Sequence, residues 1–173
     1  MTIQISDPFH WKKQSYVLID IEKEKRMFSE DEIKGLQRDD FRISSCWRGY
    51  WAEYFIEEDI LYGILHSLQK EKKKVKKKAL SFSGACVIAK RPEAVRFWTT
   101  DFLSSYLWAD EAYELHFCDG RLTEVRDLSI AIEEYTRILA EESVSGNKTW
   151  LADNNLAKKH LKYDYDTRSY KWR

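Results

Sequence analysis

The sequence predicts an α+β fold: a predominantly antiparallel, strongly curled sheet with two or three helices, the main ones C-terminal. Three observations carry this. Tyr50, Ala52, Tyr54 and Ile56 alternate with Trp51, Glu53, Phe55 and Glu57, and Ile60, Tyr62, Ile64, His66 and Leu68 share one face of a return strand. Tyr113, Leu115 and Phe117 alternate with Glu114, His116 and Cys118 ahead of Asp119-Gly120, a strong two-residue hairpin signal. Sustained helical spacing comes late, at Ile132, Tyr135 and Leu139. Hairpins followed by helices make an antiparallel sheet covered on one side. So many strands on 173 residues favour an open barrel or a sandwich-like curl.

Each element has its own signal. Residues 16–21 (YVLIDI) are β-branched and apolar, a first strand. A charged turn follows, and residues 26–28 can return as a short partner. Ser29 and Glu32 have the spacing of a capping box, so a short helix is expected over residues 30–37, with Ile33 and Leu36 inward. Residues 80–88 (LSFSGACVI) read as a strand with Phe82, Gly84, Cys86 and Ile88 on one face. Residues 95–98 can pair back after Pro92. Residues 99–112 read as loop or short helix, and residues 121–126 as an amphipathic strand. Helices are expected over residues 129–142 and 151–161.

The totals set bounds. One domain, residues 1–173, is the default at this length. Residues 143–173 form a basic, aromatic extension packed on or beside it. Aromatic residues make up 14% of the chain, with seven Trp, which suits a ring-filled sheet core or a ring-lined groove. Formal charge is zero, so no global field draws in nucleic acid or an anionic membrane. Three Cys (Cys46, Cys86 and Cys118) have no metal-ligand spacing and fit a reducing cytoplasm. No apolar run approaches a membrane span.

Four segments, covering about residues 47–126, carry a resemblance. Trp47, Arg48, Gly49 and Tyr50 begin a strand; Leu61 and Tyr62 lie on a return strand. Ser83, Gly84 and Ile88 lie on a third, and Tyr113, Glu114 and Gly120 form a hairpin. Together they resemble an uncharacterised family of bacterial cytosolic, sheet-rich proteins. Gly63 departs from that pattern, standing where a large apolar residue is expected. The resemblance implies a bacterial single-domain protein and brings no activity with it.

Candidate sites rank as follows. Trp47, Arg48, Tyr50, Trp51 and Tyr54, with Glu53, form a ring-and-charge cluster. An Arg beside Trp can stack on a ring and still offer its fork to an anion. Strand alternation sends half of these rings into the core. His116 and Cys118 place an imidazole and a thiol on one strand, which a zinc ion or a Cys–His pair would use; a packed thiol and a half-exposed His explain the same residues more simply. Arg48 can instead pair with Glu114. Residues 70–78 carry seven Lys and one Glu. Lys72, Lys73, Lys74, Lys76, Lys77 and Lys78 could grip phosphates, though a solvated loop is the plainer reading. None of the common phosphate-loop, dinucleotide, serine-hydrolase or zinc-protease motifs occurs.

The reading these features favour is a non-enzymatic, cytoplasmic protein-binding module of an immunity-like kind, with no cofactor and no metal. Its partner would be a protein, and exposed edge strands would allow a homodimer. The alternative is a small hydrolase with a site near Arg48, Glu53 and His116. A nucleic-acid or phosphate binder using residues 70–78 and the tail ranks third.

Overall fold

In chain order, β1 (Pro8–Trp11) and β2 (Gln14–Ile21) form a hairpin turned by Lys12 and Lys13, both at positive φ (50° and 60°). α1 (Glu30–Lys34) follows, then the hairpin of β3 (Tyr50–Glu57) and β4 (Ile60–Ser67). β5 (Lys78–Ala79), β6 (Gly84–Lys90) and a 3-10 helix (Leu103–Trp108) come next. β7 (Glu111–Cys118) and β8 (Arg121–Asp127) form the last hairpin, and α2 (Ser129–Ser145) and α3 (Asn154–Lys159) end the sequence of elements. The structure is a computed structural model that describes residues 7–34, 36, 49–67, 76–90, 103–145 and 154–165. Trp47, Arg48, Cys46, Lys72, Lys73, Lys74, the expected strand over residues 95–98 and the end of the tail lie outside the described residues.

The strands run in the order β3-β1-β2-β6-β7-β8-β4, and β3 pairs with β4 to complete the ring. β5 adds to β4. The α+β class stands. The sheet, however, is a closed seven-strand barrel where the sequence points to an open curl, and mixed where the sequence points to an antiparallel one. The physical reason is β1. It pairs antiparallel with β2 and parallel with β3, Phe9 opposite Tyr54, and so bridges two hairpins that would otherwise leave edges. Four residues that include a proline carry too little alternation to be read as a strand.

Closure between β4 and β8 is brief. Ile60 pairs with Arg121, Leu61 N donates to Gly120 O at 2.8 Å, and Leu122 N donates to Asp59 O at 2.7 Å. Asp119 and Gly120 turn β7 into β8 at φ 47° and 75°. Gly120 is required there for a second reason. A Cβ would lie 1.9 Å from Leu80 O, because the chain leading into β6 crosses directly over the turn.

A barrel of this strand number is just wide enough to be filled by its own side chains. Phe9, Trp11, Tyr16, Tyr50, Tyr54 and Phe117 occupy the inside, all buried. The rings meet edge-on and offset: Trp11 and Tyr113 cross at 83° with centroids 5.1 Å apart, and Phe9 stacks on Tyr54 at 5.7 Å. Burial, and then the charge of Glu111, pushes the Tyr16 phenol up to about 12. Met27 and Phe28, expected on a short return strand, instead form bends whose side chains plug this core. Gly63 fits the plug: a Cβ would stand 2.5 Å from Phe28 Cζ and 2.8 Å from Leu80 Cδ1. The space a large apolar residue would need at position 63 is filled by those two.

The second layer lies outside β2, β6 and β7, where the 3-10 helix packs on the sheet and α2 and α3 pack on it in turn. Ala85, Val87 and Ala89 keep this face of β6 flat for Leu103, Tyr106 and Leu107. Tyr106 OH donates to Ala157 O at 2.7 Å, tying the 3-10 helix to α3. The capping box is formed: Ser29 N donates to Glu32 Oε2 at 2.9 Å, and Glu32 N to Ser29 Oγ at 3.3 Å.

Candidate functional site

The outer face of β1, β3 and β4 is the first region of interest. Strand alternation on β3 sends Tyr50, Ala52 and Tyr54 inward and leaves Trp51, Glu53 and Phe55 outside. The antiparallel register sets Trp51 opposite His66 and Phe55 opposite Tyr62. The parallel pairing sets His10 beside Phe55. Tyr50 and Tyr54 are thus core residues, and of the proposed ring cluster Trp51 and Glu53 remain half-exposed at the surface.

Glu53 is the centre of this face. His10 Nε2 lies 2.8 Å from Oε1 and His66 Nε2 lies 3.1 Å from Oε2. An ionised carboxylate only accepts, so both rings donate from an Nε2–H. Each imidazole is also fixed by a ring. Trp51 lies flat on His66, centroids 3.8 Å apart and planes at 9°; His10 stacks on Phe55 at 4.8 Å and 22°. Among the described residues neither imidazole hydrogen-bonds a hydroxyl or a thiol. No group of three His, Cys, Asp or Glu among them is arranged to hold a metal ion. At its far end Lys77 Nζ sits 4.5 Å from the Phe55 centroid and 5.1 Å from that of Tyr62 and pairs with Glu57.

Two of the described lysines of the basic run are therefore engaged. Lys77 is held as above, and Lys78 pairs with Glu32 over the Phe28 ring. Lys76 is exposed.

A different cluster surrounds Glu114, whose side chain is 1% exposed. Arg126 Nη1 donates to Oε2 at 3.0 Å; the backbone N of Lys162 and of Tyr163 and the phenol of Tyr165 all donate at 3.0–3.1 Å. Burial, then the charge of Glu114, pushes the Tyr165 phenol far up. This carboxylate fastens the segment after α3 to the barrel wall. His116 lies under the same segment, flat against Tyr163 at 4.7 Å and 2°, with Nδ1 2.9 Å from Thr123 Oγ1. Cys86 points into the barrel, its thiol pushed up by burial, and Cys118 is exposed. His116 and Cys86 therefore lie on opposite faces of the sheet.

Glu53 and His116, expected near one another in an enzyme site, stand on β3 and β7, separated around the closed barrel by β4 and β8 one way and by β1, β2 and β6 the other. What Glu53 meets instead is His10 and His66. The alternation of residues 60–68 already places His66 on a common strand face. Nothing in the sequence marks His10, because it arrives through the parallel pair. No protein-family model, curated protein or solved structure matches this chain. Among the described residues no helix is long and apolar enough to cross a membrane.

Proposed function

We propose that this chain is a non-enzymatic protein-binding module, immunity-like in that it acts by covering a partner's surface. Its contact face is the outer wall of β1, β3 and β4. The carrying observation is the stacked pair of Trp51 on His66 beside the carboxylate of Glu53. Trp in a well-packed surround is a common anchor of protein interfaces. Here the indole is already immobilised by the imidazole beneath it, so little rotamer freedom is left to lose on binding. The 3-10 helix packs on β2, β6 and β7, and α2 and α3 pack on it, away from this face. Glu58 and Asp59 at the hairpin tip give it an acidic rim that suits a basic partner surface.

The hydrolase reading has one observation in its favour, the two imidazoles on Glu53. Both Nε2 atoms are directed at that carboxylate, which favours a fixed surface over a proton shuttle. For phosphate binding, Lys77 and Lys78 would first have to leave their acids.

The test is capture from a bacterial lysate on immobilised wild-type protein and on Trp51→Ala. The expected result is a stoichiometric partner held by the wild type and lost by the variant, with both melting alike. Equal capture by both, or none by the wild type at physiological salt, overturns the reading.

A further inference from the structure

Among the described residues the barrel closes between β4 and β8 through the Ile60–Arg121 pair and the bonds of Leu61 N to Gly120 O and Leu122 N to Asp59 O. Among the described residues, β7 is the only strand paired with β8 from Glu124 to Asp127, and Thr123 is a bulge between Leu122 and Glu124. Among the described residues no strand pairs with the other edge of Glu124 to Asp127. Open edges are pairing templates. Val125, on this edge and opposite Leu115, is 41% exposed, and Ile130, at the start of α2, is 67% exposed. They are the large hydrophobic residues that stand out as exposed among the described residues.

We infer that this edge pairs antiparallel with the same edge of a second copy, about a two-fold axis through Val125. This register is the one that the strand's own chemistry selects. With Val125 opposite Val125 of the second copy, Glu124 falls opposite Arg126 and Arg126 opposite Glu124, so two complementary charge pairs flank an apolar centre. Thr123 lies outside the paired residues, because it forms a bulge in β8 and its hydroxyl donates to His116 O. Sliding the strand so that Glu124 meets itself sets like charges face to face, and the half-step between the two registers pairs Glu124 with Val125. The length also fits. Pairing in the preferred register uses residues 124–126 of each copy, the stretch beyond the Thr123 bulge. At Leu128 the second chain turns away into its own α2, just where Asp59 already occupies Leu122.

Glu124 and Arg126 each keep an existing role within this arrangement. Lys162 Nζ donates to Glu124 at 2.6 Å and Arg126 reaches the buried Glu114. Both contacts lie on the outer face of the sheet, over the strands, and leave the hydrogen-bonding edge clear. A contact of one short strand and two apolar side chains is small beside stable interfaces of about 1,200–2,000 Å². The dimer is accordingly expected to be weak and concentration-dependent.

The experiment uses the full chain. Sedimentation equilibrium across a wide concentration series should show the mass rise from 20.7 kDa towards twice that value. Val125→Lys, which places two ammonium groups on the axis, should remain monomeric throughout with an unchanged melting temperature. Register is read by cross-linking with Cys46 and Cys118 replaced by Ser. Val125→Cys meets its own copy at about 4.5–5.5 Å between Cα atoms and should oxidise to a disulfide dimer. Thr123→Cys, in the bulge and away from the two-fold axis, should not. A wild type that stays monomeric at every concentration overturns the inference. So does a dimer that survives Val125→Lys, or one in which Thr123→Cys cross-links as readily as Val125→Cys.

Discussion

The phenol of Tyr165 donates to Glu114 Oε1 at 3.1 Å, joining a residue near the end of the described chain to the middle of a barrel strand. With Arg126 and two backbone N–H groups it completes the shell of a buried carboxylate. Removing one member of a buried charge pair costs about 3–5 kcal/mol, and the solvent-facing side of Arg126 puts this one near the low end. Glu114→Ala should therefore lower stability by about 3 kcal/mol in denaturant melts. It should also speed amide exchange over residues 160–165 ahead of the barrel strands. Uniform exchange across the whole chain in that variant would count against the clasp.

The two constrained glycines should behave differently. At Gly63 an added methyl meets a ring and a leucine methyl that can yield, so Gly63→Ala should cost about 1–3 kcal/mol, as overpacking does. At Gly120 it meets a backbone carbonyl and a positive φ together, so Gly120→Ala should cost more. Reversal of that order in paired thermal melts would refute the close crossing of the β7–β8 turn.

Thiol reactivity should separate the two described cysteines. Exposed Cys118 should react with a maleimide in the folded protein. Cys86, buried in the barrel with its thiol pushed up, should react only under denaturant. Peptide mapping after labelling distinguishes them. Modification of Cys86 at native pH without unfolding would mean the barrel is not packed as described.

Two pH dependences follow from shifted groups. Glu134 is held below the usual carboxylate range by hydrogen bonds from Lys159 and then His160, which join α3 to α2. A depressed carboxylate stabilises above its unfolded pKa and stops doing so as pH falls through the folded one. The stability gap between wild type and Glu134→Gln should thus be present at neutral pH and close below about pH 4. Tyr16 and Tyr165 shift the other way. Their neutral forms are favoured by folding, so stability is intact below about pH 10 and declines as pH rises beyond it, through the Tyr16 value of about 12. Alkaline titration followed by tyrosinate absorbance should show late tyrosines that ionise with unfolding. All tyrosines ionising together near pH 10 would contradict this.

The sequence is most legible where one local rule governs. β3 and β4 appear where their alternation puts them, the β7–β8 turn falls at Asp119-Gly120, and Ser29 and Glu32 cap α1. Each depends on neighbours within a few residues. Legibility fails where a contact is made across the chain. β1 is too short to announce itself, and its parallel partner cannot be inferred from a turn. The same gap hides His10 from Glu53. Glu114 reads as an ordinary outward strand residue, because what buries it is the segment after α3. Tyr50 and Trp51 show both cases side by side: alternation says they part, and only the closed ring says which one goes inside.

The four residues of β1 have a consequence for how the molecule is assembled. They are made before their parallel neighbour, yet Phe9 cannot meet Tyr54 until the intervening chain has emerged. Bringing together partners so far apart in sequence is slow compared with zipping a hairpin. The nascent chain must therefore pass through a stage in which β1 and β3 both stand with raw, sticky borders. A keystone drawn from the front of the chain and set late makes that stage, more than the finished barrel, the vulnerable point for misassembly.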